Sequence, residues 1–209
     1  AAGKGVILCN NGEEARSAVS SIMKDKAFGS AGDQVVIEEF LTGQEVSLLA
    51  FTDGKTVLPL ESAQDHKAAF DGDKGPNTGG MGAYSPAPVF TEELKQRVID
   101  EVLVPTIRAM AKEGRYYRGM LYAGLMLTEF GPKVLEFNAR FGDPETQPIL
   151  MRIKNDIVPI FEACIDGTLS KQTLQWRNEP TVCVVMAAKG YPGSYEKGKE
   201  ISGLSSAKN

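Results

Sequence analysis

Hydrophobic and polar positions change period several times along these 209 residues, and each change marks an element. Residues 5–9 form a short apolar run that predicts a strand. Over residues 13–24 apolar positions recur at helical spacing, with Ala15, Val19, Ile22 and Met23 as the inward stripe. Residues 35–40 and 45–52 read as strands on either side of Thr42-Gly43, and Asp53-Gly54 turns the chain into a third at 55–60. Residues 72–88 are too dense in Gly and Pro for regular structure and predict a long functional loop. Thr91 caps a helix running to about residue 113, Glu92 and Glu93 suit its N-terminal dipole, and Pro105 predicts a kink or break within it. Residues 120–128 and 133–141 predict a hairpin around Gly131-Pro132. Helices near 145–153 and 156–166 and a strand at 181–188 follow, without internal repeats.

The second strand of that hairpin carries the most chemistry. It reads VLEFNARFGDPETQ from Val134 to Gln147, and alternation puts Glu136, Asn138 and Arg140 on one face against Leu135, Phe137, Ala139 and Phe141 on the other. Glu136 and Asn138 are hard oxygen donors of the kind Mg²⁺ (or Mn²⁺) takes, with phosphates and water completing its shell. Arg140 could neutralise phosphate oxygens in bidentate fashion. An ordinary amphipathic strand with a solvated polar face explains the same alternation. Directly after it, the turn Gly142-Asp143-Pro144-Glu145-Thr146 brings two more carboxylates to the strand's end. The preceding strand, Tyr122-Ala123-Gly124-Leu125-Met126, has no acid, so the metal set from this hairpin is Glu136 and Asn138.

Composition narrows the class. With 42% hydrophobic and 24% charged residues the chain can bury a sizeable core. A net charge of −4 gives no electrostatic reason to expect nucleic acid or an anionic membrane as partner. No apolar run approaches the roughly 20 residues of a membrane span. Cys9, Cys164 and Cys183 are odd in number, widely spaced and set among apolar residues, which reads as buried thiols in the reducing cytoplasm.

Three further groups bear on chemistry. Val36-Ile37-Glu38-Glu39-Phe40-Leu41, with Glu45 beyond it, could hold an adenine on strand-end backbone groups and a ribose on a returning carboxylate; an acidic strand end before a turn is the plainer reading. Ala2-Gly3-Lys4-Gly5 could bring amides and an ammonium to phosphates, or be a simple turn, and it does not fit the Walker A spacing. Gln64-Asp65-His66-Lys67, with Asn77, Thr78, Gly79 and Gly80, offers both signs of charge and free amides, which suits a small zwitterion and a phosphorylated sugar. His66 is the sole histidine and has an equally good structural reading; without a nucleophile motif a triad hydrolase does not fit.

QDHKAAFDGDKGPNTGGMGAYSP, at residues 64–86, and LEFNARFGDPETQ after it, two long motifs in that order, resemble the glycinamide ribonucleotide synthetase (phosphoribosylamine–glycine ligase) family of the ATP-grasp superfamily. The resemblance implies an α+β ATP-grasp fold in which two lobes clamp the nucleotide, with residues 1–165 as that domain and 166–209 as the start of a C-terminal one. It also implies a central fragment: a preceding domain and a first ATP-contacting lysine would lie ahead of this sequence. Lys4 becomes a phosphate contact, Glu38, Glu39 and Leu41 the adenine site, and Glu45 the ribose ligand. Asp65, His66, Lys67, Asn77, Thr78, Gly79, Gly80, Asp143 and Glu145 surround the substrates, Glu136 and Asn138 bind the metal, and Arg140 acts in catalysis with Glu136. The implied reaction joins glycine to 5-phosphoribosylamine with ATP cleavage to ADP and phosphate. A bare Mg-nucleotide-binding module, or an ATP-grasp ligase for another carboxylate and amine, are the alternatives.

Overall fold

The computed structural model describes residues 6–72 and 74–207. In chain order the elements are α1 (Gly12–Met23), β1 (Gln44–Thr52), β2 (Val57–Pro59), β3 (Gln64–Phe70), β4 (Lys74–Ser85), α2 (Glu92–Val98), α3 (Val104–Lys112), β5 (Gly119–Thr128), β6 (Gly131–Asn138), α4 (Thr146–Arg152), α5 (Val158–Asp166) and β7 (Thr181–Val184). Two antiparallel sheets result, one ordered β2-β1-β5-β6 and the other β3-β4-β7. No helix among the described residues is long and apolar enough to cross a membrane.

The first sheet is covered on both faces, which is why β1 is buried continuously from Val46 to Thr52. Val46, Leu48 and Ala50 of β1, with Leu121, Ala123 and Leu125 of β5, pack against Val98, Leu103 and Ile107. The alternate residues Leu49, Phe51, Met120 and Tyr122 pack on the other face against Ile149, Ile160, Ala163 and Cys164. This second face, continued past its apolar core, carries the candidate site.

Several elements depart from the sequence pattern for identifiable reasons. Residues 6–9 and 35–40 form no strand; Val36 and Ile37 are 83% and 80% exposed, and no described strand pairs with them. Gly5 lies outside the described residues. No residue of α1 is fully buried, although Asn11 caps it by accepting from Glu13 N at 3.0 Å and Glu14 N at 2.9 Å. The long helix does not kink at Pro105 itself. A π turn at Ile99–Leu103 breaks it one turn earlier, since proline has no N–H for the preceding turn and its ring crowds the carbonyl there. Of the three thiols, all free, only Cys164 is fully buried.

The predicted loop at 72–88 is instead mostly strand. β4 pairs with β3, but its register slips twice, from His66↔Gly82 to Ala68↔Asn77 and then to Phe70↔Lys74. The glycines sit in these bulges: Gly75 and Gly80 have φ of +87° and +125°, open only to glycine at low cost. Glycine density therefore marks irregularity within a strand. Gly82 serves another need, since a Cβ there would come within 2.8 Å of the Cys183 carbonyl oxygen on β7.

Candidate active site

β6 ends at Asn138, and a bulge leaves Leu135 unpaired because Gly124 faces Glu136 while Leu125 faces Val134. The register aligns Ser47, Gly124 and Glu136 in one row across β1, β5 and β6, and Leu49, Tyr122 and Asn138 in the next. Glu136 and Asn138 thus share one face as the alternation predicts, with Asn138 Nδ2 donating to Glu136 Oε1 at 3.1 Å. Gly124 makes the row possible, because a Cβ there would meet Glu136 Cγ at 3.3 Å.

Two features of this strand are corrections. Its apolar face is not buried; Phe137 is 43% exposed on this edge strand. Arg140 is not one pleat further along a strand, since it lies in a bend where Nη1 donates to the neighbouring Phe141 carbonyl at 2.8 Å. Phe141 swings back to the second core, edge-on to Phe51 and Phe161 at 6.0 and 6.2 Å between ring centres. That aromatic anchor delivers Gly142-Asp143-Pro144-Glu145 onto the sheet face immediately ahead of α4.

Glu145 is only 2% exposed. Its Oε1 accepts from the Tyr122 hydroxyl at 2.7 Å and the Ser47 hydroxyl at 3.0 Å, and those hydroxyls are 2.7 Å from each other. Burial and the Glu145 charge hold the Tyr122 phenol far above its ordinary pKa. Sequence reasoning missed Ser47 and Tyr122, because partners 98 and 23 residues from Glu145 leave no local pattern.

From the second sheet, Asp65 and Lys67 project to the same place. Lys67 Nζ lies 2.9 Å from Glu45 Oε2 and 3.7 Å from Asp65 Oδ2. Burial pushes the Asp65 carboxyl up to about 6; Lys67 opposes this, while Glu145 and Glu45 add to it. Burial alone would lower the Lys67 pKa, but Asp65, Glu45 and Glu136 together carry it above the ordinary lysine value. Asp65, Glu45 and Glu136 surround the Lys67 ammonium, and Glu145 acts on Asp65 from beyond it, so carboxylates outnumber cations in the cluster.

The β4 bulge closes one side. Thr78 Oγ1 donates to the Lys67 carbonyl at 2.9 Å and accepts from Gly80 N at 3.0 Å, and Gly79 N donates to the Tyr191 hydroxyl at 3.1 Å. Gly80 packs so closely on Pro144 that a Cβ would lie 2.4 Å from its Cδ. Asn77, Gly79 and Asp143 are exposed at this rim.

Other candidate residues stand apart. His66 points to the opposite side of β3 from Asp65, its ring 5.5 Å from that of Tyr84. Glu38 and Glu39 are exposed on an irregular segment, not a strand end, with Lys133 Nζ 3.9 Å from Glu39, and Leu41 is half-buried. Lys4 lies outside the described residues. An apolar cavity of about 340 Å³ lies farther along the sheet among Phe51, Met120, Phe141, Phe161 and Cys164, and no candidate residue lines it.

Among the described residues no three His, Cys, Asp or Glu side chains form a metal cage. Glu136 and Asn138 fit a divalent ion completed by phosphates and water, the usual way Mg²⁺ is held, once the Asn138 amide is turned over, since its nitrogen and not its oxygen meets Glu136 Oε1.

The family model for the phosphoribosylglycinamide synthetase ATP-grasp (A) domain matches residues 1–146. The chain belongs to that family. It is similar to the phosphoribosylamine–glycine ligase of Pseudomonas aeruginosa, at 57% identity over 208 residues, covering 99% of this chain and 48% of that protein. It is equally similar, at 57% over 209 residues, to the trifunctional purine biosynthetic protein adenosine-3 of Gallus gallus, covering 100% of this chain and 21% of that one. The crystal structure of the Thermotoga maritima phosphoribosylamine–glycine ligase superposes with a TM-score of 0.83 at 38% identity, over 96% of this chain and 50% of that one. A Campylobacter jejuni biotin carboxylase shares the fold alone, with a TM-score of 0.66 at 15% identity over 91% of this chain and 41% of its own. The chain therefore has an α+β ATP-grasp fold, and it spans about half the length of the bacterial ligases it matches.

Proposed function

We propose that this chain is part of a cytoplasmic ligase that joins glycine to 5-phosphoribosylamine, using ATP and releasing ADP and phosphate. The observation that carries the reading is the meeting of the Glu136–Asn138 pair with Asp65, Lys67, Glu45 and Glu145 on one sheet face. It combines a metal-and-phosphate end with an anionic recess for an ammonium group. Its family membership supports the same assignment.

In this reading Glu136 and Asn138 would hold Mg²⁺, which when bound neutralises charge on the ATP phosphates. Arg140 keeps most of its guanidinium N–H groups available for the transferring phosphoryl group. Asp65 and Glu145 face the ammonium of glycine, leaving its carboxylate to attack the γ-phosphorus and form glycyl phosphate. The ribosylamine nitrogen then displaces phosphate from that acyl carbon. Thr78, Asn77 and Asp143 contribute to the sugar-phosphate side. Gly79 and Gly80 shape that rim while their amides donate to Tyr191 and Thr78, and His66 would act only by turning from the opposite side of β3. Lys4 covers the phosphates, while Glu38, Glu39 and Leu41 serve the adenine and Glu45 the ribose. No protein nucleophile is needed, so catalysis rests on positioning and charge neutralisation.

Thermal unfolding with ATP, in Mg²⁺ and in EDTA, tests the nucleotide half. At ligand about 100-fold above Kd, linkage gives roughly 2.7 kcal/mol of stabilisation, or several degrees. The synthetic half requires detection of glycinamide ribonucleotide from the full-length enzyme. ATP-dependent product with another amino acid but none with glycine would overturn it.

A further inference from the structure

Glu145 is held more tightly than an ordinary substrate-facing carboxylate requires. Ser47, Tyr122 and Glu145 are 2%, 5% and 2% exposed, and their three oxygens form a closed triangle. Both hydroxyls converge on Oε1, and among the described residues Oε2 accepts no hydrogen bond. That second oxygen hangs over Gly142, where a Cβ would approach it to 2.6 Å and the carboxyl carbon to 2.9 Å. At those distances an alanine at 142 would displace the carboxylate. One oxygen is thus tethered to the sheet, and the other is free for a ligand only because residue 142 has no side chain.

We propose that Tyr122, Ser47 and Gly142 are positioning residues which fix the Glu145 carboxylate so that Oε2 is presented to the ammonium group of the amino-acid substrate. This rests on the assignment of Glu145 to that ammonium. Tyr122 is the principal tether: its contact with Oε1 is the shorter, and its phenol stays protonated throughout the working pH range. Ser47 divides one proton between two acceptors, Tyr122 and Glu145, and contributes less.

The test is steady-state kinetics of the full-length ligase with glycine and ATP varied separately. Glu145→Ala sets the scale. Tyr122→Phe, which preserves ring volume, raises the glycine KM roughly 10-fold, the loss expected for one hydrogen bond to a charged group, while kcat and the ATP KM stay within about twofold. Gly142→Ala gives the same one-sided rise, and Ser47→Ala gives a smaller one that Ser47→Thr largely restores. If Glu145→Ala raises the glycine KM while Tyr122→Phe and Gly142→Ala leave it within about twofold, the positioning proposal falls and the recognition of glycine by Glu145 stands. If Glu145→Ala leaves the glycine KM unchanged, both fall. A Tyr122→Phe variant whose KM values for glycine and ATP rise together with a fall in Tm has lost structure, which also overturns positioning.

Discussion

Lys67 on β3 reaches across to Glu45 on β1, Nζ to Oε2 at 2.9 Å, and thereby bridges the two sheets at the candidate site. Both side chains are more than a third exposed, so solvent screens the pair and its stabilising contribution is below about 1 kcal/mol. Its importance is electrostatic, since Lys67 is the cation set among the Asp65, Glu45 and Glu136 carboxylates. Lys67→Met should lower unfolding free energy by less than about 1 kcal/mol in urea titrations, yet reduce ligase turnover by roughly 10-fold or more. A stability loss above about 2 kcal/mol would instead make the bridge a structural tie between the sheets.

Asp65 predicts an unusual pH dependence. Its folded pKa, raised by burial to about 6, exceeds the ordinary value of 3.8, so between those values the folded state holds the proton more firmly. Its contribution to stability is therefore favourable at low pH and is lost as pH rises through 6. Asp65→Asn should gain Tm relative to the parent chain as pH goes from 4 to 7, and the difference should level off above about pH 7. A difference constant across that range would show that Asp65 is not the titrating group.

Glu136→Gln keeps shape and hydrogen bonding to Asn138 but removes the charge a divalent ion needs. Turnover of the full-length enzyme should fall roughly 100-fold or more, about 2.7 kcal/mol of barrier. The Mg²⁺-dependent part of the ATP-induced Tm shift should shrink in parallel. Near-normal activity would refute the metal assignment.

What could be read from sequence was what local periodicity encodes. Alternation at Glu136 and Asn138 survives in β6, and Thr91 and Asp53 act as the cap and turn their residue types suggest. What could not be read was non-local. β4 hid behind its glycines, which serve bulges at Gly75 and Gly80 and a close approach at Gly82. Val36 and Ile37 have strand propensity without a described partner strand, and propensity alone does not make a ladder. Arg140 misled because the alternation of VLEFNAR runs beyond the last hydrogen-bonded residue, Asn138. The Tyr122–Ser47–Glu145 triangle depends on β1–β5 register and on the return of the 142–145 loop, neither of which a single segment specifies.

Arg152 gives a prediction about what holds the site's foundations together. It is 5% exposed on α4 and donates to Glu61 at 3.2 Å, to the Ser85 hydroxyl on β4 at 3.3 Å and to the Arg177 carbonyl at 3.1 Å, with its guanidinium 5.8 Å from the centre of the Trp176 ring. Glu61 also binds Lys95 of α2 at 2.6 Å, and Lys95 and Arg152 more than offset its burial, holding its carboxyl below the ordinary range. One buried guanidinium therefore joins α4, the second sheet and, through Glu61, the helix behind the first sheet. Removing one partner of such a pair leaves the other buried with reduced compensation, at a cost of about 3–5 kcal/mol. Arg152→Leu should lose that much in urea denaturation. The double variant with Glu61→Leu should recover part of it, because the Glu61 carboxylate is no longer left without its guanidinium, and only part, because Lys95 then keeps only Glu92 at 3.9 Å. Since Glu145 begins the segment that leads into α4, Arg152→Leu should also raise the glycine KM of the full-length enzyme, with the second substitution again restoring part. If the double variant is as unstable as the sum of its singles, Glu61 and Arg152 act independently and the cluster is not a unit.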